Sequence, residues 1–159
     1  MKKFTLPLRI LLLFICPLFL MAFVLSDVIE EDTVYIQQVI NDHYDLNQEQ
    51  VPIKRYELSL TNTGFCRYKK YLKSGKVEYF SFNLKRFKDM DYLGNDKKGR
   101  LLLHTKGEDV IVQTYNDRRG DIDSMATSVS IPLRDVEPEM LIGLSDRLIK
   151  MNGLLLIEK

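Results

Sequence analysis

Ile10 to Leu25 is a run without a single charge. It constrains the chain more than any other feature, because such a run belongs in a bilayer or an export channel rather than on a water-facing surface. Lys2, Lys3 and Arg9 precede it. Asp27, Glu30, Glu31 and Asp32 follow, and no Lys or Arg recurs before Lys54. Basic residues stay on the cytoplasmic side of a membrane, so the N-terminus is expected in the cytoplasm and the rest of the chain outside it. The run is longer than a typical signal h-region of about 7–15 residues and shorter than a spanning helix of about 17–25. Residues 1–26 are therefore read as a signal peptide or a signal anchor. Val24-Leu25-Ser26 makes a weak cleavage site, and Ile15 stands where lipidation of Cys16 would require a small residue. The expected location is extracytoplasmic, anchored in the cytoplasmic membrane or, if the segment is cut, periplasmic or secreted.

Residues 27–159 are expected to form one domain, long enough to sustain a core without staples. Only Cys66 falls in this part, so no disulfide framework forms there. A thiol on an expected strand, with no nucleophile signature around it, is read as a small buried hydrophobe.

From Val28 to Tyr44 the apolar residues Val28, Val34, Tyr35, Ile36, Val39, Ile40, His43 and Tyr44 recur at helical spacing, and Asn47 to Pro52 ends the element. This helix could continue the apolar run, which favours an anchor. Strand chemistry follows: Arg55–Leu60; Phe65–Lys73 and Val77–Leu84 around Ser74-Gly75; Arg100–Thr105 and Asp109–Tyr115 around Lys106-Gly107; and Ala126–Leu133. Connections this short favour antiparallel neighbours. Counting Lys76 into the first turn turns Cys66, Tyr68 and Leu72 to the core with Phe80, Phe82 and Leu84. Arg67, Lys69, Tyr71 and Lys73 then share the other face. After Pro138, Met140, Leu141, Leu144, Leu148 and Met151 form a helical stripe, Asn152-Gly153 is a stop, and Leu154–Ile157 is an edge strand or a packed tail. The expected class is α+β: an N-terminal helix, then a five- or six-stranded antiparallel sheet closed by a C-terminal amphipathic helix. This order resembles the pleckstrin-homology-like roll over Lys54 to Met151, an architectural likeness without a shared motif, and no functional residue is carried over from it.

Charge is segregated along the chain. Residues 27–53 hold seven acidic and no basic residues, residues 54–106 fourteen basic and five acidic, and residues 107–159 six basic and ten acidic. A basic sheet face close to a bilayer could meet another envelope protein or an anionic membrane surface; within one fold it is also neutralised by the acidic segments. Nucleic acid is not an expected partner, since the net charge is only +1 and the export segment removes the chain from that compartment.

Binding candidates are Arg67, Lys69, Tyr71 and Lys73 on the basic face, with Asp117, Asp121 and Asp123 in the loop Asn116–Ser124. That loop gathers oxygen donors around Gly120 without the spacing of an EF-hand, and Arg118 and Arg119 oppose a cation. Arg119-Gly120-Asp121 also spells a short integrin-type tripeptide, which three common residues produce easily. His43 and His104 lack ligand spacing. No nucleophile elbow, phosphate loop or dinucleotide fingerprint occurs, and no catalytic residue, metal or cofactor is assigned. The expected function is a non-enzymatic, membrane-proximal binding or assembly domain. The alternatives are an inhibitor of an exported toxin or hydrolase acting through Asp117–Asp123, and a small extracytoplasmic hydrolase or ligand carrier.

Overall fold

Helical periodicity at the two ends and strand chemistry between them are realised as an α+β fold in a computed structural model that describes residues 28–49 and 51–157. The reading of residues 1–26 lies outside the described residues. Among those described, no helix is long and apolar enough to cross a membrane.

Residues 28–43 form the first helix, α1, which buries Ile29, Ile36 and Ile40 along one face. Tyr44 then leaves the helix and makes a single antiparallel bridge to Leu133. The Asp45 carboxylate caps the following 3-10 turn, Leu46–Gln48, by accepting from Asn47 N at 2.9 Å and Gln48 Nε2 at 3.0 Å, which satisfies donors that a helix start leaves open.

The strands are β1 (Ile53–Leu60), β2 (Phe65–Leu72), β3 (Val77–Asn83), β4 (Phe87–Gly94), β5 (Lys98–Thr105), β6 (Val110–Tyr115), β7 (Asp123–Ala126) and β8 (Ser128–Arg134), followed by α2 (Pro138–Ile157). They make a five-stranded sheet in the order β1-β2-β3-β6-β7 and a three-stranded sheet in the order β4-β5-β8. Every pairing is antiparallel. The two sheets are halves of one meander, because β3 runs on into β4, β5 into β6 and β7 into β8 while neighbours are kept on both sides of the bend. The bends fall at the 3-10 turn Leu84–Arg86, at residues 106–109 and at Thr127. Their backbones hold one another: Lys106 N donates to Arg86 O at 2.9 Å and Thr105 N to Thr127 O at 2.8 Å. The buried Thr105 hydroxyl donates to Gly107 O at 2.7 Å.

Four expectations are corrected, two of them by the bends. β5 and β6 are not neighbours across Lys106-Gly107, because the chain changes sheets there. The single strand expected at Ala126–Leu133 is cut at Thr127 into β7 and β8 for the same reason. β4 was not expected at all. Finally, α2 runs through Asn152-Gly153 to Ile157, so Leu154–Ile157 is its last turn rather than an edge strand; buried Leu155 and a hydrogen bond from Asn152 Nδ2 to Leu84 O hold it down. α2 packs against the strands as expected, and both sheets stay open.

The β2–β3 hairpin follows the odd-loop parity, with Cys66 opposite Phe82 and Tyr68 opposite Phe80. The loop itself is Lys73-Ser74-Gly75, one residue earlier than expected. Gly75 takes φ +93, and Leu72 N already donates to Lys76 O at 2.9 Å. One core joins both sheets to both helices through Ile36, Ile40, Leu60, Tyr68, Phe82, Leu101, Leu103, Ile131, Leu144, Leu148 and Met151. Full burial of each such aliphatic side chain contributes about 1.5–3 kcal/mol.

Candidate functional site

Strand parity sends every second residue of the five-stranded sheet away from the core, and cross-strand pairing lines these residues up in three rows. They run Arg55-Tyr71-Val77-Tyr115, Glu57-Lys69-Tyr79-Gln113-Asp123 and Ser59-Arg67-Ser81-Ile111-Met125. Among the described residues no helix covers this face, since the buried side chains of α1 and α2 belong to the core on its other side. Tyr115 and Met125 are 47% and 49% exposed. The aromatic rings are held by cations: the Arg55 guanidinium lies 3.7 Å from the Tyr71 ring centroid, Lys69 Nζ 5.3 Å from that of Tyr79 and the Arg67 guanidinium 4.8 Å from that of Phe65. Glu57 pairs with Arg55 and accepts from the Tyr71 hydroxyl at 3.1 Å. The Arg55 hydrogen bond, aided by Tyr71, holds the Glu57 carboxyl below the usual range.

Arg67, Lys69 and Tyr71 therefore stand together as the sequence pattern implied, and Asp123 joins them at the far end of the middle row. Lys73 lies in the adjoining turn, its amide donating to Pro52 O at 3.0 Å. Asp117 and Asp121 go elsewhere. Asp121 Oδ1 accepts from Asp117 N at 2.9 Å, and Asp117 Oδ1 accepts from Arg119 N at 3.0 Å, so the loop closes on its own carboxylates. Asp117 Oδ2 is held by Lys76 Nζ at 2.9 Å. The Arg119 amide and Lys76 together keep the Asp117 carboxyl below its ordinary value.

Alternation along β2 also turns Lys70 inward between Tyr68 and Leu72, a placement that attention to the basic face passed over. It stands opposite Glu78 at the open end of the sheet, where two adjoining hollows of about 290 and 470 Å3 share Val51, Leu72 and Glu78. A row of alternating charges crosses them. Glu49 is 3.4 Å from Lys70, Lys70 is 2.9 Å from Glu78, Glu78 is 3.2 Å from Lys76, and Lys76 is 2.9 Å from Asp117. Glu49 Oε1 also accepts from the Tyr44 and Tyr68 hydroxyls at 2.9 Å each. Burial, above all, raises both tyrosines well beyond the ordinary phenol range. Burial pushes Glu78 up, but Lys70 and Lys76 outweigh it and leave its carboxyl depressed. Each charge is matched by its neighbour, and the groove fastens the segment after α1 to the sheet. Because the folded Glu78 and Asp117 values lie below the unfolded ones, the stability they supply is complete above the ordinary carboxylate range and disappears as pH falls through their depressed values. Melting temperature followed from neutral to acid pH checks this, with Glu78→Gln showing a shallower acid decline.

Cys66 is buried, and burial alone pushes its thiol up to about 12, far from the lowered values of reactive cysteines. Comparisons with protein-family models, with curated proteins and with solved structures give no match to this chain.

Proposed function

We propose that this chain is a non-enzymatic, membrane-proximal binding domain that works outside the cytoplasm and holds a partner protein on the outer face of its five-stranded sheet. The observation that carries this reading is a face that no described helix covers, where Tyr71 and Tyr115 share a row with Arg55, Tyr79 shares the next with Lys69, and Arg67 stands in the third. Tyrosine and arginine dominate the residues that carry binding energy between proteins. Rings already held by neighbouring cations lose little freedom on association. Glu57 and Asp123 interrupt the positive charge, which suits the mixed surface of a protein better than a uniformly anionic bilayer. Export rests on the order of basic residues, apolar run and acidic flank at the N-terminus. The non-enzymatic reading is supported by the sealed Cys66 thiol and by groove charges that neutralise one another.

Tyr71→Ala with Tyr79→Ala is expected to reduce recovery of the partner in native purification from source membranes. Loss of two such anchors corresponds to 2 kcal/mol or more, about thirtyfold in affinity. Both side chains point away from the core, so the melting temperature should barely move. Undiminished recovery of the partner by the double variant would remove the outer face from the function.

A further inference from the structure

The face of the three-stranded sheet turned away from the core gathers Asp89, Asp91 and His104. Each offers one donor atom, and the three atoms lie within 4.8 Å of one another. A bulge brings them together. The β4–β5 register shifts between Phe87 and Asp89, so Phe87 and Met90 both reach the core although they are three residues apart. Without the extra residue Lys88, Asp89 and Asp91 would share the buried side of Phe87. With it, both carboxylates face outward on β4 beside His104 on β5. Bulges re-aim side chains in this manner and are common beside functional sites.

We propose that Asp89, Asp91 and His104 form a binding site for a divalent transition-metal cation such as Zn2+. His104 Nε2 stands 3.1 Å from Asp91 Oδ2. The two are hydrogen-bonded; metal bonds of about 2.0–2.2 Å place neighbouring donors about 3.0–3.5 Å apart in octahedral or tetrahedral geometry, so a cation that displaces the proton between them finds both donors at ligand spacing. Asp89 offers the third donor, within 4.8 Å of the other two. One imidazole with two carboxylates suits zinc and its neighbours, whereas Ca2+ and Mg2+ take all-oxygen shells. The His104, Asp89 and Asp91 side chains are 26%, 51% and 66% exposed, which leaves the remaining coordination positions to water. The competing cation is Lys88, whose Nζ is 3.3 Å from Asp89 Oδ2; at 62% exposure it can swing into solvent. The site lies on a different sheet from the partner-binding face and does not depend on that reading.

Isothermal titration of Zn2+ into the full chain in detergent micelles tests it, with Ca2+ and Mg2+ as competitors. One Zn2+ per chain is expected, unaffected by Ca2+ or Mg2+. His104→Ala removes a ligand and should weaken binding by at least the roughly 10–100-fold that loss of outer-shell partners costs. Asp91→Asn should weaken it as well, Lys88→Ala should leave it unchanged or tighter, and His43→Ala should have no effect. All substitutions are at outward positions, and a melting curve for each confirms the fold. Absence of binding up to millimolar Zn2+, or binding that survives both His104→Ala and Asp91→Asn, overturns the proposal.

Discussion

Arg147→Ala is expected to destabilise the domain by about 3 kcal/mol, and adding Asp32→Ala to it should restore part of the loss. Asp32 lies on α1 with a side chain only 1% exposed. It is paired with Arg147, and with Lys150 at 2.9 Å, both on α2. The Arg147 guanidinium also covers the Tyr35 ring at 4.2 Å, and Gly143 gives the Tyr35 hydroxyl room to approach α2. Removing Arg147 leaves a buried anion with Lys150 alone, and breaking a buried pair from one side costs more than removing both partners. The cations are 29% and 50% exposed, so Asp32→Ala alone leaves charges that reach water and should cost less than Arg147→Ala. Urea unfolding of the two single variants and the double variant measures the coupling. Additive losses, or a loss below about 1 kcal/mol for Arg147→Ala, would mean that the pair does not dock α1.

Glu49→Ala should cost a similar amount, about 3 kcal/mol. Its side chain is 6% exposed and receives Tyr44, Tyr68 and Lys70 at once. Alanine would leave the Tyr44 and Tyr68 hydroxyls only each other, 2.6 Å apart, so that one of the two loses its acceptor, and would leave Lys70 with Glu78 as its only carboxylate. Tyr68→Phe deletes one donor and should cost about 1–2 kcal/mol. Glu49→Gln keeps an acceptor for the hydroxyls but not the charge opposite Lys70, and should fall between the two. Thermal or urea denaturation gives the order, and a Glu49→Ala loss no larger than that of Tyr68→Phe would contradict the network.

Periodicity was legible where a single element kept a single phase. α1, the β2–β3 hairpin and the α2 stripe each repeat at 3.6 or 2 residues and were readable from the sequence alone. β4 was not, because its bulge breaks the alternation: Phe87 and Met90 both point inward with the charged residues Lys88 and Asp89 between them. Sheet changes are equally invisible locally, since Lys106-Gly107 looks like any hairpin turn and Thr127 is an ordinary strand residue. The basic face was readable from parity in β2, but the place of Tyr115 on it was not, because β6 joins that face only through its register with β3. Gly153 looked like a helix stop, yet burial of Leu155 outweighs the roughly 1 kcal/mol that a glycine costs inside a helix. Asp89, Asp91 and His104 escaped notice because ligand spacing within one strand cannot report a set assembled across two.

The outer face of the five-stranded sheet is tested most directly by photocrosslinking in source membranes, with a benzophenone side chain in place of Tyr79 in the full chain and, as control, in place of Val34, which is 55% exposed on α1. A single discrete protein adduct from position 79 and none from position 34 is the expected result. No adduct at 79, or the same adduct from both positions, would contradict a partner held on that face.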